Sequence, residues 1–277
     1  MTVPTITLND QTKIPQLGLG VFQVPAERTA ATVTTALEIG YRHIDTAQMY
    51  GNEEGVGQAI AASGIARDEL YVTTKLDNGN HRPDDVRRSF DESLARLGLD
   101  HVDLFLIHWP LPTSYDGDYV STWRAMTELR ADGRARSVGV SNFHAEHLDR
   151  IIGETGEIPA VNQIEAHPYL TNDDVRAASH GHGITVEAWS PIARGKVNDD
   201  EVIQRIARRH GKTPAQVTLR WHLERRDVIF PKSSNEARLR ENFDLFDFQL
   251  SPVEVAEITG LDRGEAGRIG PNPETFG

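Results

Sequence analysis

The 277-residue chain contains no cysteine. Disulfides and zinc–thiolate centres are therefore excluded, and a reducing cytoplasm is the expected location. No apolar run is long enough to cross a bilayer as a helix. The first residues, MTVPTITLND, lack a basic region followed by an apolar stretch, so no signal peptide is expected. Positive charge is also short. Twenty-nine Lys and Arg against 41 Asp and Glu give a formal net charge of −12. That field disfavours nucleic acid and anionic membrane as partners, and an anionic ligand would need a local basic patch. The dinucleotide fingerprint GxGxxG is missing as well. Gly18-Leu19-Gly20 begins it, but Gln23 stands at the third glycine position. The two glycines read as a tight strand-end turn.

What is present is a regular alternation. Short apolar runs at 16–22, 42–47, 70–76, 102–108, 136–142, 160–165, 185–190 and 228–233 read as eight strands. Several are continuously apolar, as strands of a parallel sheet covered on both faces should be. The stretches between them have helical spacing. Thr213-Pro214-Ala215-Gln216 combines an N-cap, a first-turn proline and a capping-box glutamine, and Ser251-Pro252-Val253-Glu254 repeats the pattern. Gly40, Gly98, Gly133 and Gly183 stand where helices should stop. Eight strand–helix repeats without a linker predict one domain over 1–277, a (β/α)8 TIM barrel. The segment before the first strand predicts a β-hairpin turning at Asn9-Asp10-Gln11 and closing the barrel bottom. A doubly wound open sheet is the alternative that the same alternation permits.

In a barrel the reactive groups stand at the C-terminal strand ends. The second strand ends at Asp45, the third at Lys75 and the fourth at His108, while Tyr50 follows Asp45 in a Gly/Asn loop. Singly, each has an ordinary explanation: a helix-capping aspartate, a solvated lysine, a hydrogen-bonded core histidine, a tyrosine lid. Together on one rim they suit one chemistry. A phenol is a weak acid near neutrality; a neighbouring ammonium favours its anion, a carboxylate holds the ammonium, and a neutral imidazole can orient an oxygen. The expected reaction is protonation of a carbonyl oxygen by Tyr50, with Lys75 drawing its pKa down. The carbon then needs a nucleophile. No Ser or Cys with an adjacent base stands out, so a borrowed hydride donor is expected. A cofactor signal lies in PKSSNEARLREN, 231–242. There Lys232, Ser233 and Arg238 surround a strand-to-helix turn with Asn235 as N-cap, a setting that suits a phosphate.

Seven motifs in one order, GYRHIDTAQMYGNEEGVG, YVTTKL, LFLIHWP, VGVSNF, NQIEAHP, WSPIARG and PKSSNEARLREN, cover nearly the whole chain. They resemble the aldo-keto reductases, and within them the bacterial group that includes 2,5-diketo-D-gluconate reductase. The resemblance implies a barrel, NADPH as cofactor, a small carbonyl compound as substrate and a monomer. It implies Tyr50 as proton donor, Lys75 and Asp45 as its tuning pair, and His108 as the group orienting the carbonyl. Ser141, Asn142 and Gln163 would bind the nicotinamide carboxamide, and Trp189 would stack on the ring. Ser190, Ile192 and the loop through Gly195 would follow the pyrophosphate. Lys232, Ser233 and Arg238 would hold the 2′-phosphate, Ser234 would be a further cofactor-binding residue, and Glu241 and Asn242 would hold the adenine.

The chain departs from the pattern at several points. Asp77 stands where relatives often carry a pocket tryptophan, Ala193 where glycine is frequent, Ile192 for leucine and Ser234 for valine. Phe22, Asp77 and Trp109 are the expected substrate-pocket residues, with Asp77 either facing the pocket or turning to solvent to avoid an unpaired buried charge. The C-terminal segment is short, which predicts an open site. His180-Gly181-His182 lacks an apparent third ligand and is not expected to bind metal. The run Asp199-Asp200-Glu201 is expected to open a helix. Two other functions fit parts of the sequence. One is a cofactor-binding sensor subunit with little turnover. The other is a barrel hydrolase using Asp45 and Glu165 as paired carboxylates.

Overall fold

Residue parity along the strands organises the fold, because successive side chains point to opposite faces. The computed structural model describes residues 3–277. β1 (Thr5–Thr7) and β2 (Lys13–Pro15) form an antiparallel hairpin. Eight parallel strands follow: β3 (Leu19–Gly20), β4 (His43–Asp45), β5 (Tyr71–Leu76), β6 (Val102–Ile107), β7 (Ala135–Ser141), β8 (Val161–Glu165), β9 (Thr185–Trp189) and β10 (Val228–Ile229). Each pairs with the next in chain order. Bridges Leu17–Ile229 and Gly20–Lys232 join the last strand to the first. The sheet is therefore a closed (β/α)8 barrel, and the open-sheet alternative falls.

Ten helices surround it: α1 (Ala26–Ile39), α2 (Glu53–Ala62), α3 (Pro83–Leu97), α4 (Tyr119–Ala131), α5 (Ala145–Thr155), α6 (Asp173–Gly181), α7 (Glu201–His210), α8 (Pro214–Glu224), α9 (Glu236–Phe243) and α10 (Pro252–Thr259). Outward strand residues such as Ile44, Val72, Phe105, Ile107, Val138, Val140, Ile164 and Val186 pack under helix residues such as Val33, Val56, Phe90 and Trp123. α7 and α10 are additional to the eightfold pattern. With α8 they enclose a second core of Ile203, Ile206, Val217, Trp221, Leu250 and Ile258. Both capping boxes form, at Thr213/Gln216 and Ser251/Glu254. Asp200, from the acidic run, caps α7 by accepting from the Val202 and Ile203 amides. Gly98 ends α3 at φ 64°, where a Cβ would be strained; Gly40, Gly133 and Gly183 likewise have positive φ just beyond α1, α4 and α6.

The hairpin turns as expected, with Gln11 at φ 71°. Its Leu8 and Ile14 pack against Tyr71, Leu104, Val161 and Val228, which closes the lower barrel with apolar contacts. The first and last barrel strands are much shorter than the sequence suggests. β10 stops at Ile229 rather than running to 233; Pro231 lacks an N–H to continue the ladder. β3 contributes only Leu19 and Gly20. There the barrel is tight: a Cβ on Gly18 would lie 2.8 Å from the His43 ring, and one on Gly20 would lie 2.6 Å from the Phe230 carbonyl oxygen.

Candidate active site

The same parity that sends Ile44 and Val72 outward sends His43, Asp45, Thr73 and Lys75 into the barrel. Lys75 has no solvent exposure. Its Nζ donates to Asp45 Oδ1 at 2.6 Å, to the Thr46 carbonyl at 2.9 Å and to Tyr50 Oη at 3.4 Å. Three acceptors thus surround a cation that would otherwise be intolerable in the interior. His108 follows β6 directly, and its ring stands edge-on to Tyr50 with centroids 5.7 Å apart. The four groups expected to converge do so.

Tyr50 ends a short turn, Gln48–Tyr50, that is anchored from both sides. Buried Asn52 donates to the Val21 and Val24 carbonyls at 2.9 and 3.2 Å and accepts from Thr46 Oγ1 at 2.8 Å. Gln48 donates to the Ser89 carbonyl and accepts from the Asp77 amide at 2.8 Å. Neither residue was singled out from the sequence. Their signal was only their place in QMYGNE, beside the tyrosine.

The electrostatics correct one expectation. Burial raises the Tyr50 pKa above 10; Lys75 opposes this, and Asp45 adds to it. The phenol therefore stays protonated throughout the neutral range instead of being drawn toward it. Burial alone would lower the Lys75 pKa, but Asp45, Tyr50 and Glu187 together hold it above the usual lysine value. The cation is thus in place to stabilise a phenolate as it forms. Burial, Lys75 and His81 hold the His108 pKa well below 6.5, so its imidazole is neutral.

The expected cofactor residues line the rim on the other side. Ser141 Oγ donates to the Gln163 carbonyl at 2.8 Å. Asn142, left-handed at φ 64°, donates to the His108 carbonyl at 2.9 Å and accepts from Trp189 Nε1 at 2.8 Å. Gln163 Nε2 donates to Asp45 Oδ2 at 2.9 Å and to Glu187 Oε2 at 2.8 Å. After Trp189 the chain is left-handed at Ser190 (φ 52°), Ala193 (φ 49°), Arg194 (φ 54°) and Gly195 (φ 90°), with Ile192 between. Within this loop the Ala193 amide donates to the Ser190 carbonyl and the Gly195 amide to the Ile192 carbonyl, each at 2.8 Å, which fixes its shape. An alanine at φ 49° carries roughly 1–2 kcal/mol of strain, which is why glycine is the easier residue there. Asn235 caps α9 through the Arg238 amide at 3.1 Å, and Ser233 Oγ accepts from the Asn235 amide at 3.1 Å. Lys232 and Arg238 are exposed, with no acidic partner among the described residues. In an acidic chain, two such cations at a helix start fit a phosphate monoester. Ser234 is half-buried between them, and Asn242 is buried. Glu241 is already engaged, accepting from Thr213 Oγ1 at 2.7 Å.

The pocket side brings a second correction. Phe22, 47 % exposed, leans on Tyr50 with centroids 5.0 Å apart, and Trp109 is buried. Asp77 turns Oδ1 onto the Gly79 amide at 2.8 Å, closing its own loop. The short C-terminal segment does not leave the rim open. Its Ile269 and Gly270 amides donate to Glu165 at 2.6 and 2.9 Å. Glu274 then meets His144 at 2.5 Å, and Phe276 packs on Trp109 with centroids 4.5 Å apart. A groove of about 670 Å³ remains between this tail and Asn78, Leu111, Ser114 and Tyr115. Glu165 is thus a tail anchor that also holds His167 at 2.9 Å, and Asp45 is held by Lys75. Among the described residues, Asp45 and Glu165 are therefore not a free carboxylate pair for a hydrolase. The His180/His182 stretch gives one surface pair, His182 with Asp149 at 2.8 Å.

The model of the Aldo/keto reductase family matches residues 16–263. The chain belongs to the aldo/keto reductase family. An aldo-keto reductase of Mycolicibacterium smegmatis is 50 % identical over 273 residues, covering 99 % of this chain and 98 % of the relative. The methylglyoxal reductase DkgA of Yersinia pestis is also 50 % identical, over 277 residues and 98 % of its length. The solved structure of a Gox0644 mutant in complex with NADPH superposes with a TM-score of 0.95, at 42 % identity and full coverage of both chains.

Within this aldo/keto reductase, two further neighbours of the site escaped the sequence. Glu187 lies in TVEAWS, where nothing local marks a buried acid; only its shared parity with Trp189 shows that it points inward. The Glu165–Gly270 anchor joins positions 105 residues apart, a separation no local pattern reveals.

Proposed function

We propose that this chain reduces aldehydes and ketones with NADPH, including small dicarbonyl or sugar-derived carbonyls, and that Tyr50 is the proton donor. The observation that carries the reading is the buried Lys75 ammonium held between Asp45 Oδ1 at 2.6 Å and Tyr50 Oη at 3.4 Å. When bound, NADPH supplies the hydride that the carbonyl carbon receives. Neutral His108 hydrogen-bonds the carbonyl oxygen and sets it beside Tyr50. Tyr50 gives that oxygen its proton, and Lys75 stabilises the phenolate left behind. Ser141, Asn142 and Gln163 hold the carboxamide, and Trp189 stacks on the ring. The Ser190–Gly195 loop, with Ile192, takes the pyrophosphate. Lys232, Ser233, Ser234 and Arg238 take the 2′-phosphate, while Glu241 and Asn242 border the adenine. Phe22 and Trp109 border the substrate, while the Asp77 carboxylate is turned to its own loop.

The relatives support this reading: one is named for methylglyoxal, a small dicarbonyl, and one was solved with NADPH. The complete set Asp45, Tyr50, Lys75 and His108 favours turnover over a sensor role, since a sensor needs no proton donor. A single-domain cytoplasmic monomer belongs to the same reading, supported by the cysteine-free sequence and the family resemblance. The test follows loss of NADPH absorbance with methylglyoxal and a panel of other carbonyls. Tyr50→Phe should bind NADPH as wild type does and lose about 10²–10⁴-fold in kcat. Equal rates for the two proteins would remove Tyr50 from its role, and no NADPH consumption by either would leave the sensor reading.

A further inference from the structure

Glu187 contacts neither Tyr50 nor His108 and acts on that chemistry only through its field at Lys75, yet it lies directly beneath the rim. β9 delivers it into the barrel opposite Gln163 of β8, with no solvent exposure. Its Oε2 accepts from Gln163 Nε2 at 2.8 Å, while the second Gln163 proton goes to Asp45 Oδ2 at 2.9 Å. Its Oε1 has no hydrogen-bond partner among the described residues, and His43 Nε2 stands 3.9 Å away. The charged and titratable groups facing it are His43 and Asp45 from β4 and Tyr71 and Lys75 from β5. Burial, then the Asp45 charge, pushes the Glu187 pKa up to about 8, so the carboxyl is neutral at neutral pH. A leucine of similar volume would avoid the penalty of a half-satisfied buried polar group. The acid therefore needs an explanation beyond packing.

Gln163 supplies one. Its side chain reaches across the barrel from β8 to Asp45 of β4. An amide with one acceptor can swing about its last torsion; an amide with an acceptor on each proton cannot. The reverse orientation would set the amide oxygen against the Asp45 carboxylate. Both protons are engaged below, and Gln163 Oε1 is left as the free acceptor. We propose that Glu187 is a positioning residue for cofactor recognition: it locks the Gln163 amide so that Oε1 accepts from the N–H of the nicotinamide carboxamide. The inference rests on the proposed placement of the carboxamide at Gln163.

The probes are NADP+ and its 3-acetylpyridine analogue, whose acetyl group offers no N–H. Calorimetric Kd values give a discrimination ratio that does not depend on turnover. Wild type should prefer NADP+ by about fivefold or more, the worth of one hydrogen bond. E187Q keeps an acceptor for Gln163 and should retain the ratio. E187L and E187A remove the acceptor, one keeping the volume and one not, and should bring the ratio below about twofold. Either folded variant is sufficient. A wild-type ratio in both would overturn the assignment, since a purely structural acid alters stability and not the ratio. Gln163→Leu separates the two layers. If it too keeps the wild-type ratio, Gln163 does not touch the carboxamide and the cofactor placement fails. If it loses the ratio while E187L and E187A keep it, only the role of Glu187 fails.

Discussion

Gly270 leaves no room for a side chain beside Trp189: a Cβ there would lie 2.4 Å from the indole Cη2. Glu165 fixes this contact by accepting from the Gly270 amide at 2.9 Å, and Asn142 fixes the far side of the indole at 2.8 Å. The C-terminal segment thus braces the ring proposed to stack on nicotinamide. Gly270→Ala should push the indole off its seat, with a local packing penalty of about 1–3 kcal/mol. NADPH should bind several-fold more weakly, measured by quenching of tryptophan fluorescence. Unchanged affinity would show that the tail does not control the ring.

Lys232 and Arg238 carry a second prediction. Both are exposed and without acidic partners among the described residues, so neither is needed for folding. Replacing both with alanine should leave thermal unfolding within about 0.5 kcal/mol of wild type, as surface changes usually do. NADPH affinity should fall by about tenfold or more, the scale of charge-assisted bonds to phosphate, while NADH affinity stays level. Parallel losses for both coenzymes would place the 2′-phosphate elsewhere.

Lys75 couples stability to chemistry, and the two can be separated. Lys75→Met leaves Asp45 as a buried carboxylate without its cation, which should destabilise the fold by about 3–5 kcal/mol. Adding Asp45→Asn removes the orphaned charge, so the double variant should recover much of that loss in urea unfolding. It should not recover turnover, because the phenolate still lacks its cation. Recovery of both would mean that Lys75 only maintains the fold.

These contacts also show where the sequence was readable. Asp45, Lys75, His108 and Tyr50 lie at or just beyond strand ends, and each βα unit is local in the chain, so position along a strand located them. The caps of α8 and α10 were readable for the same reason: Thr213/Gln216 and Ser251/Glu254 are three residues apart. The tail over the rim was not, because Glu165 and Gly270, or Trp109 and Phe276, meet only after closure. The sign of the Tyr50 shift escaped as well. A cation nearby argues for a lower pKa, but burial depth is a property of the closed barrel, and burial outweighs Lys75. Glu187 was missed because 185–190 read as an apolar run, and the only sign of its direction was its shared parity with Trp189.

Glu187 gives the last prediction, a pH dependence of stability. Its ordinary pKa of 4.5 rises to about 8 in the fold. Between those values the unfolded chain has released the proton and the native state still holds it, so stability falls as pH rises, by about 1.4 kcal/mol per unit. His43 acts in the opposite sense. Burial lowers its pKa from 6.5 to about 3, so across that span stability rises with pH. The two slopes cancel between 4.5 and 6.5, and the Glu187 loss stands uncovered from 6.5 to 8. Glu187→Gln removes the Glu187 slope alone. From pH 6.5 to 8 the variant should gain about 2 kcal/mol on wild type in urea unfolding. Curves that run parallel over that range would mean that Glu187 is already ionised in the native barrel.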